Sequence, residues 1–423
     1  MSRRTLLALL ALVAALAIAG CGGGDDDEGG GGGEAGAPAE TTGFDGKTIK
    51  LGVVTPLSGP VAVIGNPLTA GNQVWVDYVN SQGGVADKYP IELVQRDSRY
   101  DAPTAAQGYN RLKDEVVAFV QILGTPIISA LLPQLKKDQV AAGPATLDSA
   151  WVREPNLIPN GAPYQIQAIN AIDYYLRTEG KGGDSVICTM IQDDPYGEAG
   201  QAGIDFAAEQ LDFEVAETAR YKTGDKDFTG QIQQLRGGNC DMVFLVGVPS
   251  DVGGILGTAA QAKFNPRWIG QSPTWVGALA ESPLREYLEA RFWLVAEGPE
   301  WGDRNVKGMA DLMDRKQRFK PRAAVEDGDI YFAFGYNEAR AVTTVLEQAV
   351  ENGDLSREGI LEAIQDVETV EFDGLGEDYS YGPIDERSPG RQSSMFEVDA
   401  SRPFGLKALE TNFSSDAAEA FEF

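Results

Sequence analysis

Residues 49–68 read IKLGVVTPLSGPVAVIGNPL, and the fold turns on how they are parsed. Residues 48–56 form a continuous β-rich apolar run, as expected for a strand covered on both faces. The run breaks into Pro56, Ser58, Gly59 and Pro60. A helix is then expected to open at Asn66, a good N-cap, with Pro67 in its first turn. Leu68, Gly71, Val74, Trp75, Tyr78 and Val79 recur at helical spacing, and Gly83-Gly84 close the segment. A strand that empties through a glycine loop into a helix presents that loop to a ligand.

Outward from this stretch the same grammar repeats. Strand-like 89–97 is followed by helical 102–115, strand 116–124, helical 127–138 interrupted by Pro133, and a strand and loop at 139–148. β-α alternation of this kind builds a doubly wound parallel sheet. After the Pro- and Gly-rich segment 153–165 the pattern restarts. Helices at 169–180, 196–211, 228–238 and 251–264 alternate with strands at 185–194, 213–221, 240–248 and 266–272. A long helix at 329–353 carries Tyr331, Phe334, Ala339, Val342, Val345, Leu346 and Ala349 on one face, and it is assigned back to the first sheet. Apolar 393–410 crosses over once more. The expected fold is α/β: two doubly wound parallel-sheet lobes joined by a three-segment hinge. Lobe 1 takes 47–161 and 300–388, lobe 2 takes 162–299 and 389–412, and 413–423 is a C-terminal tail. A hinge between two lobes is built to open and close.

Composition narrows the function. The chain has 423 residues, a net charge of −28 and no histidine. Such acidity repels phosphate backbones and argues against nucleic acid as a partner. Without histidine, Ser-His-Asp and Cys-His chemistry is excluded and a typical zinc site nearly so. The N-terminus reads as a processing signal: Arg3 and Arg4, the apolar run LLALLALVAALAIAG, then Cys21. Residues 1–20 are expected to be a signal peptide. IAGC resembles the bacterial lipobox, whose cysteine is lipidated and becomes the mature N-terminus. The Gly- and acid-rich run that follows cannot build a core, so 21–46 is expected to be a flexible tether. The body would then stand outside the cytoplasm, anchored to the cell membrane through Cys21. Cys188 and Cys240 remain in an oxidising compartment, where they form one disulfide or stay as two buried thiols.

No G-x-x-x-x-G-K-[ST] phosphate loop and no G-x-S-x-G elbow occurs. No cofactor and no metal is called for. Binding of a small molecule remains. LGTPIISALL ends a strand and starts a helix, so Thr125 and Ser129 are candidates for a ligand carboxylate at the positive helix end, unless Thr125 only caps that helix. GPATLD adds Ala145 and Thr146. Tyr196 of DDPYG offers an amphipathic ring, and Trp275 of GQSPTWVG another. Asp193 and Asp194 suit a cationic group or simply turn chemistry. An enzyme would need that carboxylate pair to work without histidine.

With these residues in hand, IKLGVVTPLSGPVAVIGNPLTAGNQVWVDYVNSQGGV, RDSRYDA and DDPYGEAG resemble the type I periplasmic binding proteins of the leucine/isoleucine/valine-binding kind. The resemblance runs from about Lys47 to Glu410. It implies an extracytoplasmic receptor of an ABC importer that captures a branched-chain amino acid or a similar small polar organic molecule, such as an amide or a small carboxylate. It implies ABC permease subunits as partners, a monomer, and a runner-up role as a sensor signalling to a membrane partner. Its ligand loops map onto Ser58, Thr125 or Ser129, Ala145, Thr146 and Tyr196. Val248 stands at an expected contact where the family carries Tyr, and Ile64 where it commonly carries an aromatic. The acid that grips a ligand ammonium is absent from GQSPTW.

Overall fold

The computed structural model describes residues 37–320 and 328–423. The signal peptide, Cys21 and most of the tether lie outside the described residues. The chain is already anchored at Thr41, where the sequence reading ran the tether on to residue 46. Thr41 and Phe44 exchange backbone hydrogen bonds, and the buried Phe44 ring meets Tyr89 edge-on at 5.0 Å.

The first sheet is built from β1 (Ile49–Thr55), α1 (Ala62–Gln82), β2 (Ile91–Asp97), α2 (Ala102–Leu112), β3 (Ala118–Leu123), α3 (Thr125–Asp138) and β4 (Ala142–Ala145). Its order is β2-β1-β3-β4, parallel throughout. β3 is buried at every position, because helices cover both faces. The second lobe runs α4 (Tyr164–Thr178), β5 (Ile187–Gln192), α5 (Pro195–Leu211), β6 (Val215–Tyr221), α6 (Thr229–Gly237), β7 (Met242–Val246), α7 (Pro249–Gln261), β8 (Arg267–Gly270), α8 (Arg285–Arg291) and β9 (Phe292–Ala296). The chain then returns to the first lobe with α9 (Lys307–Phe319), α10 (Ile330–Glu351), α11 (Arg357–Asp366) and the short antiparallel pair β10 (Thr369–Val370) and β11 (Tyr379–Ser380). A hairpin of β12 (Ser393–Val398) and β13 (Leu406–Phe413) completes the second sheet, whose order is β13-β12-β9-β8-β7-β5-β6.

The two-lobe α/β fold is the expected one, with three differences in detail. The second sheet is mixed: β12 runs antiparallel to both β9 and β13. The opening helix starts at Ala62, four residues before Asn66, because Gly59 at φ +83° turns the chain early. Pro67 therefore sits inside α1 and not in its first turn. The last residues also do not trail away. α12 (Asp416–Glu419) buries Ala417 and Ala418, and Phe421 meets Phe206 of α5 at 5.0 Å.

α1 and α10 cross closely, and two glycines permit it. A Cβ on Gly71 would lie 2.1 Å from the Phe332 carbonyl oxygen, and one on Gly335 would lie 2.0 Å from that of Leu68. Trp75 locks the crossing, with its Nε1–H donated to Thr343 Oγ1 at 2.8 Å and its ring edge-on to Tyr336. This fixes the N-terminal turns of α10 against the carboxyl edge of the first sheet. In each sheet the strand order reverses beside the first strand, β1 in one and β5 in the other. Ligands of open α/β sheets bind at such switch points, outside the carboxyl ends of the strands.

Candidate functional site

A cavity of about 90 Å³ lies where the two lobes meet. That is several times the space one water requires. The first lobe supplies Ile64 and Leu68 of α1, Ala145 and Thr146 at the end of β4, and Ile330, Tyr331, Phe334 and Asn337 of α10. The second lobe supplies Tyr164 at the start of α4 and Ser272 and Pro273 after β8. The crossing after β9 adds Ala296, Glu297 and Pro299, and Trp301 and Met309 close the far wall. The lining is dominated by apolar side chains, with a few convergent hydroxyls, one amide and one carboxyl.

The lobes are shut in this structure. Val61, Ile64, Leu68, Leu123, Ala145 and Tyr331 of the first lobe form one buried apolar cluster with Val248 of the second. Tyr331 donates its hydroxyl to the Trp275 carbonyl at 2.6 Å, from one lobe to the other. Tyr331→Phe removes that bond and leaves the ring. It should lower affinity for a cleft ligand by about fivefold, the worth of about 1 kcal/mol, with little change in the melt of either lobe. Isothermal titration of the variant checks this.

The residues expected to bind are placed unequally. Ala145 and Thr146 line the cavity. Thr125 stands one hydrogen bond behind, its Oγ1 2.5 Å from that of Thr146. Tyr196 is one ring behind, buried and 4.9 Å from Tyr164. Val248 belongs to the interlobe apolar cluster. The other three do not face the cavity. Ser129 is exposed and donates back to the Thr125 carbonyl at 2.8 Å, satisfying itself within α3. Ser58 is exposed and donates to Asp97 Oδ2, while its backbone N–H also reaches that carboxylate. Trp275 is fully buried in the second lobe, where it stacks on Phe292 and donates its Nε1–H to the Phe404 carbonyl. Asp194 caps α5 by accepting from the Tyr196 and Gly197 N–H groups, and Asp193 lies 3.6 Å from Arg220. Neither lines the cavity.

Glu297 was not singled out by the sequence. It lies where the chain leaves β9, and the Ala162 N–H of the first crossing donates to it. Its uncovered part faces the cavity. Removal from water pushes its carboxyl up to about 8, and the Glu377 charge adds to the rise. Glu377 itself accepts from the Arg391 and Gln392 N–H groups of the third crossing. The Tyr164 hydroxyl is held protonated, chiefly by burial. Cys188 and Cys240, left open above, are joined by a disulfide.

This geometry is that of two α/β lobes packed over a shared cavity. Over residues 48–403 the chain matches the model of the family described as Periplasmic binding protein, and it belongs to that family. The leucine-, isoleucine-, valine-, threonine- and alanine-binding protein of Pseudomonas aeruginosa is 26% identical over 235 residues, 54% of this chain and 61% of that protein. The Leu/Ile/Val-binding protein of Citrobacter freundii is 23% identical over 241 residues, 53% of this chain and 61% of that one. The chain thus spans about three-fifths of the length of the curated relatives it matches. Among solved structures, a fatty acid ABC transporter substrate-binding protein from Thermomonospora curvata superposes with a TM-score of 0.83 at 26% identity, over 92% of this chain and 97% of that one. A branched-chain amino acid ABC transporter protein from Thermus thermophilus, with bound valine, shares the fold at a TM-score of 0.76 and 15% identity, over 88% and 98% of the two chains.

Proposed function

We propose that this protein is the extracytoplasmic solute receptor of an ABC importer, closing its lobes on one small, mainly apolar molecule with a single polar end. The observation that carries the reading is the apolar interlobe cavity at the carboxyl edges of both sheets. The similar proteins include one named for fatty acids and others named for branched-chain amino acids, and both guests are mostly hydrocarbon. Between them, the lining favours the less polar, because most of its side chains are hydrocarbon. Binding is closure around a preformed cleft, and the role is capture and not catalysis. The partners are permease subunits in the membrane. Cys21 carries the lipid anchor, and the glycine-rich run after it is the tether.

A thermal-shift panel of branched-chain amino acids, amides, medium-chain acids and aromatic acids tests the reading. A true ligand at 100 times its Kd adds about 2.7 kcal/mol of stability. Silence from every class would refute it. Cys21→Ala, expressed in the native host, is expected to move the protein from the membrane fraction to the medium; retention on the membrane would remove the anchor from the account.

A further inference from the structure

The cavity has one feature that an apolar guest alone does not explain. Every cavity-lining side chain that ionises is an acid or a phenol: Glu297, Tyr164 and Tyr331. No cation answers Glu297 among the described lining residues, and its one backbone partner is a donor, the Ala162 N–H. A carboxylate in that position would be a buried charge without a counter-charge, which is costly. The group therefore stands in its neutral form near pH 7, in accord with its upward shift to about 8. A neutral carboxyl is a donor, and a donor facing a closed cavity needs an acceptor.

Resting on the reading of this cavity as the ligand site, we propose that Glu297 meets the polar end of the guest as a hydrogen-bond donor. The guest is then a monocarboxylic acid with an apolar body. Its carboxylate and the Glu297 carboxyl share one proton, as two crowded carboxyl groups do when only one can ionise. No covalent bond changes: Glu297 keeps its proton and lends it to the guest's oxygen. The Thr146, Ser272 and Tyr164 hydroxyls and the Asn337 amide are the neutral lining groups that remain to support the head, since Tyr331 already donates to the Trp275 carbonyl.

The position of Glu297 gives the contact a second consequence. It lies in the second crossing and is held by the first, through Ala162. The charge that faces it, Glu377, is pinned to the third by the Arg391 and Gln392 N–H groups. The other titratable group facing it is Tyr164, which stays protonated across the relevant pH range. Gln167 of α4 hydrogen-bonds the Glu297 carboxyl, which opposes part of the rise but brings no counter-charge. A guest that touches Glu297 thus touches the hinge itself, and the head group is read at the point where closure happens.

The test uses three probes of equal length: octanoate, octylamine and 1-octanol, titrated into the full protein between pH 6.5 and 9.5. Octanoate affinity should hold up to about pH 8 and then fall about tenfold per pH unit, because only the protonated fraction of Glu297 is competent. Octanol should show no such slope. Glu297→Gln keeps a donor but cannot ionise; it should weaken octanoate a few-fold at pH 6.5 and abolish the slope. Glu297→Leu should cost octanoate more than tenfold while sparing octanol, which also shows that the variant is folded. A flat octanoate profile in the unmodified protein overturns the proposal. So does octylamine binding that strengthens with pH, which would mark Glu297 as an ion-pair partner for a cation. If none of the three probes binds at any pH, the cavity reading fails and this proposal with it.

Discussion

Trp275→Ala should unfold the second lobe far more readily while sparing the cleft. The ring is fully buried, stacked on Phe292 with centroids 5.6 Å apart, and its Nε1–H is donated to the Phe404 carbonyl at 3.1 Å. Truncating a buried tryptophan costs about 3–5 kcal/mol, and leaving that carbonyl unpaired adds to the loss. Only the backbone carbonyl of Trp275 reaches across to Tyr331, and alanine keeps it. Chemical denaturation should show the whole cost, and ligand affinity of the protein still folded at low temperature should change little. Trp275→Phe should recover part of the stability through the stack on Phe292. An unchanged denaturation midpoint with lost affinity would instead return the ring to the ligand, where the sequence had put it.

The distance between that expectation and a ring buried away from the cavity shows what the sequence carries and what it hides. β3 and β7 were legible because continuous apolar runs have few other uses in a chain of this composition, and α10 because its apolar residues hold helical spacing over many turns. The start of α1 was not, because the turn at Gly59 and a Val61 N-cap with no side-chain bond leave no local signal, whereas Asn66-Pro67 gives a good false one. β9 hid behind the helical residues of α8, and β12 and β13 read as one stretch because their turn at Asp399–Phe404 contains a phenylalanine.

The cleft was harder to read for a physical reason. Which strand end reaches it is a property of topology, and a hydroxyl near a helix start has cheaper partners than a ligand. Ser129 takes the carbonyl four residues back, and Ser58 takes Asp97. Ala145 and Thr146 were reachable because they lie at the carboxyl end of β4, whose strand-and-loop pattern at 139–148 is plain in the sequence. Glu297 left a trace that went unused: an acid directly after the apolar run FWLVA, in a segment read only as a crossing. A charge at the end of a buried strand, on the edge that faces the other lobe, is where a cleft residue should be sought.

Breaking the Cys188–Cys240 bridge should cost about 4 kcal/mol, the chain-entropy value for a loop of this length. The two residues are 52 apart in sequence with Cα atoms at 5.8 Å, and the loop they close holds α5, β6 and α6. β5 and β7 are neighbours, with Cys188 in register with Val243 just past Cys240. The bridge therefore ties β5, one strand in from the β6 edge of the second sheet, to the start of its neighbour β7, below the loops that carry Tyr196 and Val248. In the first lobe the described residues contain no cysteine, so the cost falls on one lobe only. A Cys188→Ala/Cys240→Ala double variant, or the reduced protein, should lose the cooperative melt it shares between lobes. Trp268, Trp275 and Trp293 should report unfolding at lower denaturant than Trp75. Coincident transitions, or a loss below about 1 kcal/mol, would mean that β-sheet pairing and the apolar interlobe cluster already fix this lobe without help from the bridge.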